Sequence, residues 1–134
     1  MAYLKNVDGI LDAWLVLCKD GYDGMLTICG PVHPPIQQRV ANDAILKNQV
    51  HFTDELSYEE VAAQLKQQHA LVLFSDTESQ SCVTLEALCC GRPVIVPAVG
   101  GVQELVHENN GLTVSVRNTE DLVEKMKQLI SSYA

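Results

Sequence analysis

The run ALVLFSDTESQSCVTLEALCCGRPVIVPAVGG, residues 70–101, decides how this chain folds. ALVLF is continuously apolar, the pattern of a strand buried on both faces of a parallel sheet. A helix follows through LEALCC, and Gly91 and Pro93 stop it, glycine supplying the left-handed C-terminal position. PVIVPAV is a second buried strand. Strand, helix, strand in so few residues is a parallel crossover. Two carboxylates, Glu78 and Glu86, interrupt the apolar pattern with seven residues between them.

The same alternation extends in both directions. Residues 7–19 carry apolar side chains at helical spacing, and 25–29 form a short β-rich run ending at Gly30-Pro31. A polar helix is expected over 37–48, its start obscured by Pro34-Pro35. VHFT at 50–53 is strand-like, and Ser57-Tyr58-Glu59-Glu60 has the form of a capping box opening a helix through Lys66. Downstream, Gly100-Gly101 leads into a short helix QELVHE, Asn109-Asn110-Gly111 turns into the strand LTVSV, and 119–132 closes as an amphipathic helix. About five strand–helix alternations indicate an α/β fold with a doubly wound, Rossmann-like parallel sheet. The chain opens on a helix, whereas the first strand of such a sheet normally lies at its centre. A strand is therefore expected upstream of residue 1.

At 134 residues the chain fits one domain, and 47% apolar with 19% charged residues places it among globular sequences. Nine basic residues against 17 acidic ones give a net charge of −8. With no basic cluster, nucleic acid is not an expected partner. No apolar run nears the roughly 20 residues that span a bilayer, and the start, MAYLKNVDG, lacks a signal-peptide profile. The five cysteines contain no C-x-x-C pair and the four histidines are scattered, so no metal is expected, and reduced thiols point to a cytoplasmic location. No Ser–His–Asp set, P-loop or G-x-G-x-x-G fingerprint is present.

Ligands of open α/β sheets bind beyond the carboxyl ends of the strands. Glu78 lies four residues past Phe74, and Glu86 lies about one helical turn further into a helix whose side chains lean back toward its start. Both carboxylates can face one crevice, with the unpaired amides of residues 79–83 between them to attract phosphate. A carboxylate accepts from two neighbouring hydroxyls, as a ribose or hexose offers, but repels a diphosphate; that group requires amides and a cation. Two plainer readings stand beside this one. Glu78 completes an S-x-x-E capping pattern with Ser75, and Glu86 can occupy an exposed helix edge.

The run from Glu78 to Val96 resembles the signature of family 4 retaining glycosyltransferases, E-x7-E followed by A-[ML]-x-x-G-x-P-V-[IV]. Val99-Gly100-Gly101, Glu104-Leu105-Val106 and Asn110-Gly111-Leu112 resemble its continuation, and Lys5-Asn6 with Ala13 its first helix. The resemblance covers nearly the whole chain. It implies the C-terminal half of a two-domain GT-B fold, residues 1–134 being the donor domain, with the N-terminal acceptor domain outside the chain.

The resemblance also implies roles. Glu78 meets hydroxyls of the transferred sugar, and Ser79, Gln80, Ser81, Cys82 and Val83 offer amides to sugar and diphosphate. Glu86 holds the ribose, Lys5 is the cation on the leaving diphosphate, and the loop from Thr53 lies near the base. The donor is a UDP-, GDP- or ADP-sugar taken as substrate, with no cofactor and no metal required. The isolated chain is expected to be inactive, and the full-length enzyme to act in polysaccharide assembly, in the cytoplasm or at the inner membrane face.

The chain departs from the pattern at Ser79-Gln80-Ser81, where the family usually has G-F-G or S-F-G; serine at the second glycine narrows the space beside the sugar. The family's phosphate-binding arginine would fall ahead of residue 1. The alternatives are a non-catalytic nucleotide-sugar binding or interaction module, another GT-B-like enzyme such as a sugar-nucleotide epimerase, and a purely structural domain. An unpaired central sheet edge would favour self-association.

Overall fold

The computed structural model describes residues 6–29, 33–53, 55–75 and 82–133. It begins at the cap of helix α1 (Val7–Lys19): Asn6, at φ 50°, accepts the Gly9 amide on its side chain at 3.2 Å. Val7, Ile10, Leu11, Trp14 and Leu17 recur at three- and four-residue spacing and are buried, the stripe that drives a helix onto a sheet.

Strand β1 (Leu26–Ile28) pairs in parallel with β2 (Val50–Phe52), from Leu26↔Val50 to Ile28↔Phe52. Strands β3 (Leu71–Val72), β4 (Val94–Pro97) and β5 (Gly111–Val114) form a second parallel ladder in that order. Helices α2 (Pro34–Asn42), α3 (Tyr58–Gln67), α4 (Cys82–Cys89) and α5 (Thr119–Tyr133) make up the rest, with short 3₁₀ helices at Leu46–Asn48 and Gly100–Leu105.

Alternation along the strands divides the interior into two layers. Phe74 and Ile95 pack with Val7, Trp14, Ile36, Leu122 and Met126, on the side of α1, α2 and α5. Leu73, Val94 and Val96 pack with Leu65, Ala87 and Val102, on the side of α3 and α4. Apolar residues on both faces explain why ALVLF and VIVP contain no polar alternation. Helices therefore cover both faces of parallel strands, as a doubly wound α/β fold requires.

Several boundaries differ from the sequence reading. The polar helix starts earlier, because Pro34 and Pro35 occupy its first turn, where a missing N–H costs nothing. It also stops earlier: Asp43 is extended, and its carboxylate accepts from the Ile45 and Leu46 amides at 2.8 and 3.0 Å. The short helix expected over QELVHE is a 3₁₀ helix that starts and ends earlier, at Gly100–Leu105. The capping box at Ser57 is present in both directions, and Gly91 stops α4 at φ 75°. Among the described residues no helix is long and apolar enough to cross a membrane.

Two arginines tie elements together across long sequence separations. Arg39 of α2 bridges Asp8 (2.9 Å) and Asp12 of α1. Burial is the largest single effect on the guanidinium and lowers its pKa, but the hydrogen bonds and charges of the two aspartates together outweigh it and leave the pKa raised. Arg92 donates to the Leu65 carbonyl at 3.2 Å and to that of Lys66, satisfying the C-terminal end of α3.

Candidate functional site

The order of the elements locates the crevice. From β1 the chain winds through α2 to β2 on one face, then crosses through α3 on the other face to β3, and continues outward through α4 to β4. The winding changes face between β1 and β3, and the space beyond the carboxyl ends of those strands is the topological switch point. Cys29 follows β1 there and is exposed; Thr53 follows β2; Ser75, 1% exposed, closes the apolar run that begins in β3. The Thr53 amide donates to the Ile28 carbonyl at 3.0 Å, which fixes the start of its loop against β1.

Two helices begin at this edge. The first turn of α1 lies against Phe74: a Cβ added to Gly9 would stand 2.8 Å from the Phe74 ring and 2.8 Å from the Asn6 side-chain nitrogen. Phe74 is fully buried, so its ring cannot yield. The start of α4 lies on the other side of the same strand end. Cys82 and Val83 open that helix, where backbone N–H groups have no partner within the helix. Thr84 and Ala87, both fully buried, anchor α4 on the sheet, and Val83 is half-buried beside them.

Glu86 is the fifth residue of α4, one turn from its start, and is half-buried between the anchored face and the exposed Leu85. No described residue gives its carboxylate a hydrogen bond or an ion pair. It is less enclosed than the flanking apolar runs suggest, because a single helix face carries the burial.

Lys5, Glu78, Ser79, Gln80 and Ser81 lie outside the described residues, as does the capping alternative for Glu78. Of the expected site, the structure brings together Cys82, Val83 and Glu86 on α4, and puts Thr53 at the same sheet edge one strand beyond β1. The Gly9–Phe74 contact was not anticipated. Its signal was a glycine three residues after an asparagine N-cap, a position where glycine is otherwise unfavourable in a helix.

The cations are unevenly placed. Lys19 ends α1, Lys66 nearly ends α3, and Lys47 and Arg92 precede β2 and β4, all positions at the amino edge of the strands. Arg39 is held by two aspartates. Arg117, at φ 58° in the turn after β5, is the described basic residue on a loop leaving a strand's carboxyl end.

Comparison with known proteins agrees with this geometry. The family profile described as Glycosyl transferases group 1 matches residues 1–133. An uncharacterized glycosyltransferase of Methanocaldococcus jannaschii is 31% identical over 130 residues, covering 96% of this chain and 35% of its own length. The N-acetyl-alpha-D-glucosaminyl L-malate synthase of Bacillus anthracis is 32% identical over 134 residues, covering 95% of this chain and 33% of its own. The chain thus spans about a third of the length of these curated relatives. Among solved structures, the C-terminal domain of a group 1 glycosyl transferase (LpcC) from Francisella tularensis superposes with TM-score 0.83 at 22% identity, over 98% of this chain and 71% of that one. Anabaena HepE in complex with UDP-glucose superposes with TM-score 0.83 at 19% identity, over 99% and 37%.

Proposed function

The chain belongs to the group 1 glycosyl transferases, and from that premise we propose that it is the nucleotide-sugar half of a retaining glycosyltransferase. One observation carries the proposal. The starts of α1 and α4 converge on the carboxyl end of the β3 run, α1 through the Gly9–Phe74 contact and α4 through Cys82 and Val83, with Glu86 one turn along. Helix starts favour anions, and a half-buried carboxylate without a described partner favours hydroxyls. A nucleoside diphosphate sugar offers both.

The roles follow the chemistry. The amides at the start of α4 hold diphosphate oxygens, and Glu86 accepts from the ribose hydroxyls. Lys5, adjacent to the Asn6 cap, supplies the cation that the described carboxyl edge otherwise provides only at Arg117. It stabilises the diphosphate as the bond from the anomeric carbon to its oxygen breaks. Glu78 holds hydroxyls of the transferred sugar. The acceptor oxygen forms its bond on the face the diphosphate leaves, and its proton passes to a departing phosphate oxygen. No metal is assigned a role. The isolated chain should not turn over, because transfer requires acceptor and donor to be held together.

UDP is the first nucleotide to test, since HepE binds UDP-glucose. Calorimetric titration of UDP, GDP and ADP with their glucose conjugates, against the chain and its Glu86→Ala variant, tests the reading. Saturable binding of one nucleotide, weakened about tenfold or more in the variant, is expected. Equal binding by the two proteins would remove Glu86 from the site.

A further inference from the structure

Asn110 is the one asparagine of this chain followed by glycine; the other five, Asn6, Asn42, Asn48, Asn109 and Asn118, precede larger residues. That neighbour sets the reactivity of the side chain. The main-chain nitrogen after an asparagine can attack its Cγ and close a succinimide ring, expelling ammonia. A side chain on the attacking residue obstructs the approach, whereas glycine has none and turns freely. In an unfolded chain Asn110 is therefore the most reactive asparagine.

In the turn between the 3₁₀ helix Gly100–Leu105 and β5, every group in that reaction is held. Asn110 Oδ1 accepts from the His107 amide at 2.8 Å, and Nδ2 donates to the Leu105 carbonyl at 2.9 Å. These opposite demands fix which end of the carboxamide faces which partner. The attacking group, the Gly111 amide, donates to the His107 carbonyl at 3.1 Å and is tied back from Cγ. The Asn110 carbonyl accepts from the Val94 amide at 3.1 Å, at the first rung of the β4–β5 ladder.

Packing fixes the glycine as firmly as the turn does. Gly111 is buried, and a Cβ there would collide with the Val94 carbonyl oxygen. The residue that fits the ladder is thus the one that makes Asn110 labile. β5 is also the outer strand of its ladder, and edges open at a lower free energy than the interior.

We propose that Asn110 is a conformation-gated modification site. While the turn is closed the amide survives. When the start of β5 opens, the Gly111 nitrogen loses its proton to solvent base and bonds to Cγ; the Cγ–Nδ2 bond breaks, and ammonia leaves with a proton from water. Water then opens the succinimide at either carbonyl. The product is aspartate, or isoaspartate with the main chain running through Cγ. In sum one water enters and one ammonia leaves, with no change of oxidation state.

Neither product restores the turn. Aspartate keeps an acceptor for the His107 amide but sets a carboxylate oxygen against the Leu105 carbonyl, two acceptors with no hydrogen between them. Isoaspartate adds a main-chain carbon ahead of Gly111, where contact with the Val94 backbone leaves no slack. A transient opening is thereby made permanent.

The test incubates the chain in mildly alkaline buffer, alone and in urea that unfolds it. Mass spectrometry of the peptide carrying Asn110 follows conversion of amide to acid, with Asn109 as the control, and NMR reads exchange of the Gly111 amide. Conversion at Asn110 at least about tenfold slower in the folded chain than in urea, and rising with Gly111 exchange as sub-denaturing urea is added, is expected. Asn110→Asp should speed Gly111 exchange by a similar factor, whether the edge alone or the whole chain opens. Equal conversion with and without urea, or none in urea, would overturn the proposal. So would conversion that stays flat while Gly111 exchange rises, or an aspartate variant whose Gly111 amide exchanges at the original rate. None of these readouts depends on nucleotide binding.

Discussion

Gly9 and Phe74 touch across the carboxyl edge of the sheet, close enough that a single added carbon on Gly9 would overlap the buried ring. The contact links the first turn of α1 to the end of the β3 run.

Gly9→Ala therefore inverts an ordinary rule. In a helix interior the change normally stabilises by roughly 1 kcal/mol. Here overpacking against Phe74 costs about 1–3 kcal/mol, and a net loss is expected in thermal denaturation. Nucleotide affinity should fall as well. A more stable variant with unchanged binding would mean that the two elements move apart freely.

Gly111→Ala is expected to be worse. Its Cβ would collide with the Val94 carbonyl oxygen, a backbone atom inside the β4–β5 ladder, as well as with the Val94 side chain. A loss of about 2 kcal/mol or more is expected from urea unfolding.

Ser57→Ala removes the cap hydrogen bond to the Glu60 amide (3.2 Å) and should cost about 1 kcal/mol. Ser57→Asp should recover most of it, since aspartate also accepts at an N-cap. A denaturation series of the three proteins checks the order.

Acid should destabilise the fold in a defined direction. Backbone amides hold the Glu60, Asp43 and Asp121 carboxyls below their ordinary values: the Ser57 amide for Glu60, Leu46 and Ile45 for Asp43, and Ser115 for Asp121. A depressed folded-state pKa gives stability that is fully present above the unfolded value and is lost as pH falls through the folded one. Melting temperature should thus decline from about pH 4.5 downward, the usual carboxylate range. Asp121→Asn should flatten part of that decline, and an identical slope would remove Asp121 from the explanation.

Local chemistry was the legible part of the fold. The bounds of α1, the capping box at Ser57 and the glycine stop at Gly91 each depend on residues within a few positions, and the sequence displays them directly. Arg39 on Asp8 and Asp12, and Arg92 on the carbonyls of α3, could not be read. Their partners are 26 to 31 residues away and carry no pattern. Of the candidate site, Glu86 was placed by helix periodicity, but its half-exposure depends on which face of α4 docks, and that is decided by Thr84 and Ala87 meeting the sheet.

The most direct measurement is a map of amide shifts in the chain and in its Glu86→Gln variant as UDP-glucose is added to each. Saturable shifts at Cys82, Val83 and the residues flanking Glu86, lost in the variant, are the predicted result. Shifts absent from the folded, unmutated chain, or confined to the amino edge of the sheet, would contradict the donor-site account.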